Sequence, residues 1–132
     1  MNKPVFIIAE AGVNHNGKME LAKELINAAK SAGADAVKFQ AFQADTLATK
    51  TLQKAHYQRL SESPTDSQYK MLKQLELTSE QLLELSSYCQ KNNIIFLASP
   101  FDLINVNFLN EINVPIFKVP SGEITHIPYL RK

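Results

Sequence analysis

The stretch that decides the fold is Val5-Phe6-Ile7-Ile8-Ala9-Glu10-Ala11-Gly12-Val13-Asn14-His15-Asn16-Gly17, followed by a helical pattern to Ala32 and then by Ala36-Val37-Lys38-Phe39-Gln40. Val5 to Ala9 is an unbroken apolar run, the mark of a strand covered on both faces. Glu10 to Gly17 holds two glycines and two asparagines and reads as a loop. From Met19, the residues Leu21, Leu25, Ala28, Ala29 and Ala32 recur at helical spacing, and Gly33 stops the helix. Ala36 to Gln40 is a second strand. Strand, helix and strand in this order imply parallel strands joined by a right-handed crossover.

The rhythm continues outward from that unit. Ile94-Ile95-Phe96-Leu97-Ala98 reads as a third strand, with Ser99-Pro100-Phe101 turning out of it. Val114-Pro115 leads into a fourth, Ile116-Phe117-Lys118-Val119. Thr78-Ser79-Glu80-Gln81 is a capping signal ahead of Leu82, Leu83, Leu85, Tyr88 and Cys89, and Asn92-Asn93 ends that helix. Asp102 caps a helix carrying Val106, Phe108, Leu109 and Ile112, and Ile127 to Lys132 begins another. Residues 41–66 break the pattern. A short helix is expected there from about Leu52 to Leu60, with Asp66 or Ser67 capping the next one. Repeated β-then-α units allow a doubly wound sheet or a barrel. The glycine-rich fingerprints of nucleotide sites are missing from the sequence.

The bulk properties narrow the function. The chain has 132 residues, 45% hydrophobic and 20% charged, as in an ordinary globular domain. With 14 basic and 13 acidic residues the net charge is +1, which gives nucleic acid no electrostatic footprint. The single cysteine, Cys89, excludes a disulfide framework and sits on the apolar stripe of a helix, where a buried structural thiol is expected. No segment approaches the length of a membrane span, so a cytoplasmic protein without membrane contact is expected.

Polar residues gather where each strand ends: Glu10, then Lys38 and Gln40, then Ser99, then Lys118, Ser121 and Glu123 in Phe117-Lys118-Val119-Pro120-Ser121-Gly122-Glu123. Ligands bind at the carboxyl ends of strands in both candidate folds. Two lysines inside apolar strands are costly unless anions meet them. They point to a site for an anionic substrate beside a carboxylate able to move protons. Each has a plainer reading. A lysine can snorkel outward or pair with a carboxylate, Ser99 and Ser121 can serve turns beside Pro100 and Gly122, and Gln40 can be a solvated strand end. His15 without a partner at ligand spacing reads as a loop-stabilising residue, and His56 and His126 stand alone.

Taken together, Ile8-Ala9-Glu10-Ala11-Gly12-Val13-Asn14-His15-Asn16-Gly17, Val37-Lys38-Phe39-Gln40, Ser99-Pro100-Phe101 and Lys118-Val119-Pro120-Ser121-Gly122-Glu123 resemble the N-acetylneuraminate (sialic acid) synthase family. The resemblance runs from about Val5 to the last residue. It implies a (β/α)8 barrel followed by an antifreeze-like domain. It also implies condensation of phosphoenolpyruvate with an N-acylated hexosamine such as N-acetylmannosamine, giving a nonulosonate and phosphate. A TIM barrel needs about 250 residues, so residues 1–132 are expected to form only its first four βα units, a half barrel without the antifreeze-like domain. The family's divalent metal, Mn²⁺ or Mg²⁺, takes its two histidine ligands from the half beyond this chain. By the same resemblance Lys38 and Lys118 hold the phosphate and carboxylate of phosphoenolpyruvate, and Ser99 and Ser121 donate to the same anion. Gln40 binds the sugar, Glu123 transfers protons and Glu10 orients the sugar. Tyr69 and Ser63 fall where the family's long second loop reaches the sugar. Where the family has Ser-Thr-Pro-Phe this chain has Ala98-Ser99-Pro100-Phe101, which keeps one hydroxyl.

Two other readings compete with a synthase that is inactive as this chain alone. One is a non-catalytic anion-binding or assembly half of a split barrel. The other is a different phosphate-binding barrel enzyme. Half a barrel leaves unpaired strand edges, so self-association into a homo-oligomer is expected.

Overall fold

The computed structural model describes residues 5–48 and 67–132. Strand β1 (Ile8–Gly12) is followed by helix α1 (Met19–Ser31), strand β2 (Ala36–Ala41) and the short helix α2 (Ala44–Leu47). Helices α3 (Gln68–Leu75) and α4 (Ser79–Lys91), strand β3 (Ile95–Pro100) and helix α5 (Leu103–Glu111) come next. A 3-10 turn (Ser121–Glu123) and helix α6 (Ile127–Leu130) complete the described elements. The strands form one parallel sheet in the order β1-β2-β3.

Local signals place the helix ends. Thr78 Oγ1 accepts from the Gln81 N–H while the Gln81 side chain accepts from the Thr78 N–H, a complete capping box. Ser67 Oγ accepts from the Lys70 N–H, and Asp102 from the Asn105 N–H. At the far end of α1, Gly33 takes φ +80° and the Ala34 N–H returns to the Ala29 carbonyl, which closes the helix.

Alternation along β2 separates two faces. Val37, Phe39 and Ala41 join the main apolar core with Ile26 of α1, Leu82, Leu85 and Cys89 of α4, Phe96 and Ala98 of β3, and Leu109 of α5. Lys38 and Gln40 occupy the opposite face. Cys89 is fully enclosed, and burial pushes its thiol up to about 12, so it packs as a small apolar residue.

Three expectations need correction. The first strand runs from Ile8 to Gly12 rather than from Val5 to Ala9, which puts Glu10 within the strand. Its start is set by Asp35, whose carboxylate accepts from the Ile7 N–H at 2.7 Å, so the ladder begins at Ile8 opposite Ala36. Coverage on both faces also fails at that end: Val5 is 83% and Ile7 55% exposed, on the free edge of the sheet. Secondly, β3 extends through Ser99 and Pro100, which pair with Gln40 and Ala41 instead of turning away. Thirdly, Ile116-Phe117-Lys118-Val119 is not a strand, and the described sheet has three strands, not four. Pro115 and Pro120, which have no N–H to donate, flank that segment. The short helix expected from Leu52 to Leu60 lies outside the described residues, as do Ser63, His56 and Asp66.

The loop after β1 is pinned against α3. A Cβ at Gly17 would lie 2.2 Å from the Gln74 carbonyl oxygen, and Gly17 has φ +72°. Gly17→Ala is therefore expected to cost about 2 kcal/mol or more. Urea denaturation should show a lower midpoint with an unchanged slope.

Candidate functional site

The site is built on the face of β2 away from the helices. Lys38 stands at the middle of the central strand, 8% exposed, in register with Glu10 of β1. Its ammonium nitrogen lies 2.5 Å from Glu10 Oε2 and 3.3 Å from Ser99 Oγ. A buried ammonium without a counter-charge would cost several kcal/mol. The parallel register brings Glu10 and Ser99 to it from the strands on either side. The register slips between Glu10 and Gly12, and Gly12 adopts φ +55°. A Cβ on Gly12 would meet Glu10 Oε1 at 3.1 Å, so a bare backbone there leaves room for the carboxylate.

A cleft of ≈ 500 Å³ opens over this group at the carboxyl ends of the strands. Glu10, Lys38, Gln40, Ser99, Lys118 and Ser121 all line it, together with Gly12, Val13, Asn14, Phe101 and Gly122. Six of the seven residues singled out in the sequence thus share one cavity. Glu123 does not line it. It lies one residue past Gly122, half-buried, with Oε2 2.5 Å from His126 Nδ1. Tyr69 is also away from the cleft, donating to Asp45 Oδ1 at 2.9 Å.

The two lysines differ. Lys38 is buried and already paired, whereas Lys118 is exposed on an irregular segment. Among the described residues Lys118 makes no ion pair or hydrogen bond, so its charge is available at the cleft. Among the described residues no three His, Cys, Asp or Glu side chains converge.

His15 sits fully buried beneath the loop that supplies Val13 and Asn14 to the cleft. Its Nδ1 accepts from the Gly17 N–H at 3.0 Å, its ring lies 6.1 Å from that of Phe39, and Nε2 has no partner among the described residues. It holds the loop, as expected, and burial keeps its pKa below the ordinary 6.5.

The expectation that His126 stands alone is corrected, since it pairs with Glu123 and stacks on Tyr129, a residue the sequence did not single out. Their signal was the i, i+3 spacing of Glu123 to His126 and of His126 to Tyr129. The Tyr129 hydroxyl donates to the Pro100 carbonyl at 2.7 Å and ties the last described helix to the end of β3.

The class the fold and cleft define is an α/β protein with a parallel sheet and a cleft lined by two lysines and two hydroxyls. Comparison with known proteins gives the family. The NeuB family model matches residues 25–132. An N,N'-diacetyllegionaminic acid synthase from Legionella pneumophila is 53% identical over 126 residues, 96% of this chain and 35% of that protein. The human N-acetylneuraminate-9-phosphate synthase is 41% identical over 130 residues, 98% of this chain and 36% of that protein. The crystal structure of an N-acetylneuraminic acid synthetase from Leptospira borgpetersenii, in complex with citrate, superposes with a TM-score of 0.78 at 39% identity, covering 97% of this chain and 40% of that one. The chain belongs to the NeuB family. It spans little more than a third of the length of these relatives.

No helix among the described residues is long and apolar enough to cross a membrane.

Two predictions follow from burial. Removing the Glu10 carboxylate strands the Lys38 ammonium, so Glu10→Ala should cost about 1–3 kcal/mol. Lys118→Ala at an exposed, unpaired site should stay within about 0.5 kcal/mol; urea titrations of both variants check the contrast. For His15 the folded state favours the neutral ring. Between 6.5 and its lower folded value the unfolded chain binds the extra proton, so stability falls as pH drops below 6.5. His15→Gln should flatten that slope in denaturation series from pH 7 to pH 5.

Proposed function

We propose that this chain carries the phosphoenolpyruvate-binding part of a nonulosonate synthase. The full enzyme would join phosphoenolpyruvate to an N-acylated hexosamine, releasing phosphate and forming a nine-carbon sugar acid. The observation that carries this reading is the convergence of Lys38, Lys118, Ser99 and Ser121 on one cleft. Phosphoenolpyruvate bears a carboxylate and a phosphate on a three-carbon frame. Two compact ammonium groups flanked by hydroxyl donors match two anionic ends.

The residues divide the work as follows. Lys118 receives an anionic end of the substrate, and Lys38, backed by Ser99, receives the other as Glu10 shifts toward the sugar. Gln40 binds the hydroxyl or amide groups of the acceptor. Carbon 3 of the enol attacks the sugar aldehyde, whose oxygen takes up a proton. Water then adds at carbon 2 and phosphate departs. Glu123 moves protons in these steps and Glu10 orients the sugar. By the family resemblance the full enzyme would also use Mn²⁺ or Mg²⁺, held by histidines outside this chain.

The relatives bear on the choice of acceptor. Adding three carbons from phosphoenolpyruvate leaves the amide groups of the product in the acceptor. A 53% identity to an N,N'-diacetyllegionaminic acid synthase, against 41% to an N-acetylneuraminate-9-phosphate synthase, supports an acceptor with two acetamido groups. A (β/α)8 barrel in the complete enzyme agrees with the parallel sheet and with the position of the cleft. The exposed apolar side chains of Val5, Phe6 and Ile7 beside the free edge of β1 support association of copies.

Calorimetry with phosphoenolpyruvate tests the site. Wild type should bind, and Lys118→Ala should weaken binding about tenfold or more, the usual loss for a charge-assisted contact. Equal affinity in the two proteins would remove Lys118 from the site, and wild type that fails to bind would sink the reading for this chain.

A further inference from the structure

We propose that His126 is a positioning residue that holds the Glu123 carboxylate away from Lys118 and so keeps that lysine available to the substrate anion. The role given to Lys118 rests on the proposed synthase reading; the contact between His126 and Glu123 does not.

The geometry is a local clamp. The His126 N–H donates to the Glu123 carbonyl at 3.0 Å, which closes a turn and brings the two side chains to one side. His126 Nδ1 then lies 2.5 Å from Glu123 Oε2. The clamp is itself anchored. The His126 ring stacks on Tyr129, with centroids 6.0 Å apart and planes at 20°. Tyr129 is buried and bonds through its hydroxyl to the Pro100 carbonyl. Burial, then the nearby Glu123 and Asp102 carboxylates, push the Tyr129 phenol up, so it stays a donor. Pro100 follows Ser99, which lines the cleft and touches Lys38. The position of Glu123 is thereby referenced to the strand end that presents Ser99.

Electrostatics supplies the reason for a clamp. Ser121 and Gly122, the two residues before Glu123, line the cleft beside Lys118. A loose carboxylate next to an uncommitted ammonium pairs with it and cancels the charge an anion needs. Glu10 already does this to Lys38. His126 gives Glu123 Oε2 another donor and leaves Oε1 for a proton or a sugar hydroxyl. The Nδ1 proton serves equally in the neutral Nδ1–H tautomer and in the imidazolium.

Two measurements on the full chain test this. Long-range proton–nitrogen correlation spectra of ¹⁵N-histidine-labelled protein report which ring nitrogen is protonated. His126 should carry a proton on Nδ1 in wild type and in Lys118→Ala, and lose it to the Nε2–H form in Glu123→Ala. A bare Nδ1 in wild type overturns the clamp. Phosphoenolpyruvate calorimetry then reads the consequence. His126→Ala should weaken binding about threefold or more, the scale of a partly exposed ion pair set free to compete. Adding Glu123→Gln to His126→Ala should restore wild-type affinity, and His126→Asn, which keeps a donor, should stay near it. A loss that Glu123→Gln does not reverse is structural, and it overturns the proposal. Wild type that binds no phosphoenolpyruvate overturns the synthase reading and with it the role of the clamp, while the spectra still decide whether the clamp exists.

Discussion

A single ammonium group organises this structure. Lys38 sits in the middle of the central strand with little access to water, and a charge there is tolerable only if neighbours compensate it. Glu10 and Ser99 do so from the flanking strands, and both are brought to it by the parallel register. Gly12 stays bare so that the Glu10 carboxylate fits, and the chain leaves β1 there in the left-handed region. The loop that follows is then fixed by buried His15 and by the close approach of Gly17 to α3. The floor of the cleft and the path of its first wall thus derive from one electrostatic need.

The cleft holds two cations in different states. Lys38 has its counter-ion within the fold. Lys118 projects from an irregular segment and carries an uncommitted charge. In the proposed function such a pair would bind an anion in stages, the exposed lysine first and the buried one as Glu10 yields. Two carboxylates beside the same cleft have opposite dispositions, Glu10 on a lysine and Glu123 on a histidine. That asymmetry separates a carboxylate paired with a buried lysine from one paired with a half-exposed histidine.

Much of this was legible along the chain. The capping box at Thr78 and Gln81, the caps at Ser67 and Asp102, and the stop at Gly33 are contacts between residues a few positions apart, so their residue types announce them. The clustering of polar residues at strand ends followed from the alternation of apolar runs and helices. It brought six chosen side chains to one cavity. Ile116 to Val119 misled because its composition suits a strand, while strand formation requires a partner to receive its hydrogen bonds. His126 was read as standing alone because no helical pattern marks residues 121–126, although its partner Glu123 lies at i, i+3 spacing.

What the sequence determined by itself was the set of local structures and the polar residues among them: parallel β–α units, helix boundaries, and Glu10, Lys38, Gln40 and Ser99 within the apolar runs or at their ends. Tertiary structure decided which charges meet. Lys38 reaches Ser99 across 61 residues, and Glu10 across one whole crossover, through register alone. Tyr129 likewise reaches the Pro100 carbonyl across 29 residues and ties α6 to the end of β3. The physical reason is range. Capping and periodicity act within a turn or two of chain. The partner of a buried charge depends on strand pairing and packing, which no short stretch encodes.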